Sequence, residues 1–458
     1  MLTPKLQMLE RTLKRLIRRG ASQPLENVLA KAHAADLGYL LPHFTNNEQS
    51  QLIAYAGDDE RRAQIIAAAE IDVAARLLEA LPRDRAVELL QYVAPDDASD
   101  LLQQMSEEVA DELLQRMRGE ERDEVEELHR YDSETAGGIM SPRFFALNRD
   151  MTAAQAIVEL QRVHDEMEMV FYVYVVNEVE QLLGVVSLRQ LVTTKPETTL
   201  FELMTSEIVS VEPDEDQEEV AKIASRYGLL AVPVVDDANK LLGIVTVDDV
   251  IDVLREEATE DILRMAGAGD ELAEQEGVLK AALSRAPWLL IVAVGGVVGA
   301  ALLATYSTRF ASFIPIVSLV PFVLGLSGVI GLQGATVMTQ RMLVGRLGGR
   351  LWPSVLSQSV IGLLLGVLFG ALCGLIFWIW NAHLSAGPPN GLSLLGASAA
   401  LGAAVAAAMT LAATVGALLP TVFHRGRVDP ALAAGPIGAI AVDLLALLAF
   451  LALGSVWL

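Results

Sequence analysis

The sequence predicts a multidomain chain: an all-α superhelical N-terminal domain, a duplicated α/β region, a connecting helix and a five-helix transmembrane domain. Three observations predict it. Charge is divided unevenly, with 28 Lys+Arg and 56 Asp+Glu in residues 1–286 but only 6 and 2 in residues 287–458. Apolar pairs recur at a fixed interval through residues 38–118. Five long apolar stretches fill residues 287–458.

The first element, residues 1–133, owes its fold to the repeat. Its pairs are Leu40–Leu41, Leu52–Ile53, Ile65–Ile66, Leu77–Leu78, Leu89–Leu90, Leu101–Leu102 and Leu113–Leu114, spaced by 12 residues with one slip to 13. Pro82 and Pro95 fall between pairs, where turns belong. A helix of about two turns plus a turn fits this period, and stacking such units buries each pair against its neighbours. Residues 2–19 read as an amphipathic basic helix, compatible with contact to anionic lipid or with a plain first helix. No apolar run follows Lys14, Arg15, Arg18 and Arg19, so the segment does not read as a signal peptide.

The second element is a duplication, 134–198 and 199–258. Each copy opens on a Met-Ser/Thr pair, Met140–Ser141 and Met204–Thr205. Each continues with a helical stretch, two β-rich runs (Phe171–Val176 with Leu182–Ser187, Ala231–Val235 with Leu241–Thr246) and a closing helix from Leu188 or Val247. This β-α-β-β-α order resembles the cystathionine-β-synthase (CBS) domain, which occurs as tandem pairs. In the second copy, Thr246-Val247-Asp248-Asp249 matches the T-x-x-D that holds a ribose in nucleotide-binding members; the first copy has Ser187-Leu188-Arg189-Gln190 and lacks the acid. That leaves one site for a nucleotide such as ATP, at Thr246 and Asp249, or an empty pair.

The third element, 259–286, is polar and helix-prone, is interrupted by Gly267 and Gly269, and runs into Pro287-Trp288, which makes it the connection to the membrane half. The fourth, 287–458, holds candidate spans at 287–306, 314–338, 354–380, 394–419 and 434–457, each near the 20 residues that cross the hydrocarbon. Arg341, Arg346 and Arg350 lie between spans 2 and 3, and Arg425 and Arg427 between spans 4 and 5. Basic loops stay on the cytoplasmic side. The large N-terminal half is therefore expected in the cytoplasm of a multi-pass inner-membrane protein, with the C-terminus outside.

Asp443 is the only charged residue within any of these spans. An acid at mid-membrane costs roughly 2.5–3.5 kcal/mol on insertion scales, and it faces a partner, a water-filled cavity or an ion. No Lys, Arg or His in another span neutralises it; a passing cation would. Span 2 carries Pro321, Gly325, Gly328, Gly331, Gln333 and Gly334, and span 5 carries Gly435-Pro436 ahead of Asp443. Such residues loosen helices and free carbonyls, which protein or water must satisfy.

Taken together the residues resemble the MgtE magnesium channel/transporter family across nearly the whole chain. The motifs are Thr135-Ala136-Gly137-Gly138-Ile139-Met140, Glu257-Ala258-Thr259-Glu260-Asp261-Ile262, and Asp429-Pro430-Ala431 with Gly435-Pro436 and Asp443. The resemblance implies a homodimer with its pore on the two-fold axis, where Asp443 of both subunits and backbone near Gly328 and Ala439 hold Mg²⁺. It also implies gating by cytosolic Mg²⁺ bound among Asp216, Glu218, Asp249, Asp252, Glu257 and Glu260, with the 259–286 helix as plug. Two positions depart from the family pattern: Val329 replaces an amide at the pore, which opens the selectivity to other divalent cations, and Gly228 replaces an acid in the second CBS copy.

The composition excludes other classes. An acidic chain of net charge −24 repels nucleic acid. The single Cys373 supports neither disulfides nor CxxC sites. There is no P-loop, HExxH or Ser-His-Asp arrangement, so an enzyme is not expected. The alternative to transport is a membrane-anchored CBS sensor of metal or nucleotide with a non-conducting pore, a reading that Val329 favours.

Overall fold

The computed structural model describes residues 3–117, 119–163, 170–268, 278–310, 317–343, 351–384 and 393–457. They form two compact units, residues 1–255 and 256–458.

The first unit begins with short helices: α1 (Pro4–Arg18), α2 (Ser22–Leu29), α3 (Ala34–Leu40), α4 (Asn46–Ala54), α5 (Asp59–Ala67), α6 (Ile71–Glu79), α7 (Arg83–Leu90), α8 (Pro95–Gln103), α9 (Glu107–Arg116) and α10 (Glu120–Leu128). Their starts are set by local chemistry. Asp58 caps α5 by accepting from Arg61 N at 3.1 Å, and Pro95 sits at the first position of α8, where a missing N–H costs nothing. Alternate helices stack, α3 on α5 on α7 on α9, and α4 on α6 on α8 on α10, giving two rows. Every residue of the seven apolar pairs is buried in one continuous core. The 12-residue period thus produces a solenoid, because no two-turn helix can bury its pair alone. Helix α1 packs Leu13 and parts of Leu6, Leu9, Leu16 and Ile17 on that core, as a plain first helix does.

The duplicated region follows. The first copy has β1 (Ala146–Asn148), α11 (Ala153–Val163), β2 (Tyr172–Val176), β3 (Leu182–Ser187) and α12 (Leu188–Thr193). After the short α13 (Leu200–Leu203), the second has α14 (Gln217–Tyr227), β4 (Ala231–Val235), β5 (Leu241–Thr246) and α15 (Val247–Ala266). Strand β2 pairs in parallel with β1 and antiparallel with β3, and β4 pairs antiparallel with β5. The two hairpins share one register: Tyr172 faces Ser187 as Ala231 faces Thr246, and both shift after the fourth residue. The Met-Ser/Thr pairs cross over reciprocally, Ser141 bridging Ile244 of the second copy and Thr205 bridging Val185 of the first.

In the second unit, five helices among the described residues are long and apolar enough to cross a membrane. They are α16 (Val278–Phe310), α17 (Val320–Leu343), α18 (Leu351–Leu384), α19 (Leu394–Arg425) and α20 (Pro436–Trp457). Helix α19 is the hub, packing on α17, α18 and α20. A Cβ on Gly416 would stand 2.1 Å from Gly331 O, so glycine there lets α19 and α17 touch backbone to backbone.

The segment expected as one connecting helix, 259–286, is divided. Residues 259–266 are the last two turns of α15, which nothing in its sequence interrupts after the second CBS copy. Gly267, at φ +62°, ends that helix in the left-handed conformation. Residues 269–277 lie outside the described residues, and 278–286 already belong to α16, which carries Pro287 in its interior. The boundary expected at 258 therefore falls in mid-helix.

Candidate ion site and regulatory acids

Asp443 is the eighth residue of α20, about 10 Å along the helix axis from Pro436. Opposite it lies Gly328 of α17. A Cβ on Gly328 would stand 3.0 Å from Asp443 Oδ1, so the carboxylate occupies the space a side chain would need. Oδ1 is buried and has no hydrogen-bond partner among the described residues. An unmatched buried acceptor of this kind costs about 1–3 kcal/mol, more when charged. Ala439 lies one turn earlier on the same face, its N–H held by Gly435 O at 3.0 Å. Asp443 and the two positions that the resemblance adds, Gly328 and Ala439, thus lie on two facing helices.

The site is half-open in a single chain. Gly328, Ala439 and Asp443 are each partly exposed, and Val329 beside them is 55 % exposed. Val329, Gln333, Thr336 and Gln340 lie exposed along one stripe of α17. The three polar members, Gln333, Thr336 and Gln340, on an apolar spanning helix mark a face that meets water or protein rather than lipid.

The start of α20 is anchored at the polar end of the bundle. Asp429 Oδ1 accepts from Ala431 N at 2.8 Å and so caps the 3₁₀ turn Pro430–Ala434. Its Oδ2 accepts from Arg264 Nη1 at 2.9 Å, joining that turn to the end of α15. Thr339 Oγ1 of α17 donates to Pro430 O at 3.2 Å. The turn before the Asp443 helix is therefore held from two sides.

The soluble acids are placed as follows. Asp216 caps α14, accepting from Glu218 N at 2.8 Å, and Glu218 pairs with Lys222 at 2.9 Å. Asp252 pairs with Arg255 at 3.2 Å, and Glu260 pairs with Arg264. Glu257 lies on the same helix, α15. Among the described residues, no three acidic, histidine or cysteine groups are arranged to hold a metal ion.

Asp249 is different. Its Oδ2 accepts from Thr246 Oγ1 at 2.5 Å and Thr246 N at 3.2 Å, capping α15. Burial, then the charges of Asp96 and Asp248, push its carboxyl up to about 7 despite the Thr246 bonds that pull it down. Asp96, in the first turn of α8, is itself only 9 % exposed. Asp96 is not among the residues that the sequence singles out. The signal available was the run Pro95-Asp96-Asp97 at a helix start; its burial beside Asp249 comes only from the tertiary fold. In the first CBS copy, Ser187 N donates to Gln190 Oε1 at 2.9 Å, so the same box is built there around an amide and carries no charge.

Comparison with known proteins agrees along the chain. The MgtE intracellular N domain model matches residues 32–134, the CBS domain model matches 136–197 and 200–256, and the divalent cation transporter model of MgtE matches 320–453. The magnesium transporter MgtE of Thermus thermophilus is 36 % identical over 338 residues, which is 73 % of this chain and 72 % of that protein. The chain belongs to the MgtE family of magnesium transporters. The MgtE of Enterococcus faecalis is 32 % identical over 342 residues, covering 73 % and 71 %. Among solved structures, the cytosolic domain of the Mg²⁺ channel MgtE in complex with ATP superposes with TM-score 0.51 at 33 % identity, covering 53 % of this chain and 99 % of that one. The soluble part of a magnesium transporter gives TM-score 0.51 at 30 % identity, covering 55 % and 99 %. MgtE is not an enzyme family, and its membership fits the multi-pass architecture seen here.

Proposed function

We propose that this chain conducts Mg²⁺ into the cytosol down its electrochemical gradient, through a path on the axis of a homodimer, gated by cytosolic Mg²⁺. The observation that carries the reading is the buried, unpartnered Oδ1 of Asp443 against Gly328, within spans that hold no other charge. A divalent cation supplies the missing partner. Mg²⁺ dehydrates reluctantly and keeps several waters, so a carboxylate on each side of a hydrated ion suits it. The exposed stripe Val329, Gln333, Thr336 and Gln340 supports a second copy completing the path. A divalent charge falling through 100 mV gains roughly 5 kcal/mol, which drives entry without nucleotide hydrolysis.

Regulation rests on Asp249. A buried carboxyl beside Asp96 and Asp248 holds a proton at low pH and carries a poorly solvated charge at high pH. Cytosolic Mg²⁺ shared between solenoid and CBS acids relieves that charge and favours the compact state. Asp216, Glu218, Asp252, Glu257 and Glu260 are further ligands in this reading. They are recruited when domains or subunits close. Thr246 and Asp249 would hold a nucleotide ribose through the same capping carboxylate. In this reading the N-terminal domains lie in the cytoplasm and the C-terminus outside. Rescue of a magnesium-requiring host tests the function. The wild-type chain should support growth without added Mg²⁺ and Asp443→Ala should not; failure of the wild type, once its expression is verified, would favour the sensor with a closed pore.

A further inference from the structure

Helix α1 has two dissimilar faces. One is buried on the solenoid core through Leu13 and its apolar neighbours. The other carries Arg11, Arg15 and Arg18 at i, i+4 and i+7, with Arg19 at the C-cap, and with Lys14 these line an open cleft of about 450 Å³. Lys14 is already engaged, 2.7 Å from Glu10 and over the Phe44 ring at 5.3 Å. The four arginines make no salt bridge among the described residues, although the charges of Arg11 and Arg18 help to lower the Glu10 and Glu48 carboxyls. Elsewhere in the solenoid, Arg62, Arg83, Arg85, Arg116 and Arg122 each pair with an acid. Acids outnumber bases two to one in residues 1–286, so partners were available and the pairing was not made. A terminal solenoid helix needs a polar outer face, but acids would serve that purpose equally well.

The geometry selects the kind of anion. The cleft is lined by side chains of one helix, so it lacks the converging backbone N–H groups that cradle a small phosphate. Three exposed arginines in a row about 10 Å long on one helix suit a plane of phosphates instead. The chain carries five spanning helices, so a bilayer is tethered to the soluble half at high effective concentration. The apolar face of α1 is already used, so the helix cannot insert, and the contact is electrostatic alone. We propose that the α1 arginine stripe docks on anionic phospholipid headgroups of the bilayer in which the chain is embedded. This does not depend on what the pore conducts.

The test uses the full-length chain with Met8→Cys as the label site. Met8 is 73 % exposed and lies three residues before Arg11 on the same face. Cys373→Ala removes the native thiol. The labelled protein is reconstituted into phosphatidylcholine vesicles, with or without a phosphatidylglycerol fraction of about one third, all containing a nitroxide-headgroup quencher. Quenching should be about threefold stronger or more with phosphatidylglycerol at low salt. It should fall to the phosphatidylcholine level at about 0.5 M salt, and in the fourfold Gln variant of Arg11, Arg15, Arg18 and Arg19. Equal quenching in both lipids, or quenching that survives the Gln substitutions, overturns the proposal. So does protection of the arginines from phenylglyoxal by inorganic triphosphate with no lipid dependence, which assigns the stripe to a free anion. Protection that rises with protein concentration in detergent would assign it to a second copy and equally overturn it.

Discussion

Asp249→Asn isolates the electrostatic load at the solenoid–CBS junction. The Asp249 carboxyl is raised from the usual 3.8 to about 7, burial being the main cause and Asp96 and Asp248 adding to it. The folded protein therefore holds a proton between pH 4 and 7 that the unfolded chain has released. Stability must fall as pH rises through that window and level off above it, where both states are ionised. Each pH unit is worth about 1.4 kcal/mol, so the full ionisation penalty is roughly 4 kcal/mol. Asn keeps the shape and can still accept from Thr246, but it cannot ionise. Urea unfolding of the soluble half at pH 5 and pH 8 measures this; relatives of this half have been crystallised in isolation, one covering 53 % of the present chain. Wild type should lose several kcal/mol between the two pH values and Asn should lose much less. Added Mg²⁺ should restore the wild type at pH 8 and leave the variant nearly unchanged. Equal pH dependence in the two proteins would refute the reasoning, because the load would then lie elsewhere.

Two further outcomes follow from packing. Gly328→Ala places a methyl 3.0 Å from Asp443 Oδ1 and must turn the carboxylate; Mg²⁺ flux should fall about tenfold, equivalent to 1.4 kcal/mol at the site, while the protein stays monodisperse in detergent. Leu78→Ala empties a fully buried position in the solenoid and should cost about 2–5 kcal/mol, read as a lower unfolding midpoint of the soluble half with spectra unchanged under native conditions.

The solenoid was legible because its information is one-dimensional: each apolar pair packs on near neighbours, and all seven pairs are buried as their spacing requires. The CBS duplication was legible through its strand order and its Met-Ser/Thr pairs, although the crossing of Ser141 to Ile244 and Thr205 to Val185 is a tertiary fact. Asp443 stood out because charge in a span is expensive, whereas Gly328 came only from the family resemblance; that the Asp443 carboxylate lies against it is a tertiary fact. Gly267 marked the end of α15, but the passage from the second CBS copy into the connecting segment left no mark, since nothing between Val247 and Ala266 interrupts a helix. Nor was the state of Glu260 legible: its partner Arg264 lies four residues on and also reaches Asp429, 165 residues away. Asp96 was missed for a related reason, since burial beside Asp249 depends on how solenoid and CBS copy meet.

Mg²⁺ flux into vesicles loaded with a magnesium-sensitive dye tests the central claim most directly, with wild type and Asp443→Asn reconstituted at equal density. Asn fills the same volume but carries no charge to hold a divalent ion. Wild type should fill the vesicles under an inward gradient, and the variant should stay at the protein-free rate. Flux through the Asn protein at the wild-type rate would mean that the ion does not pass the carboxylate facing Gly328.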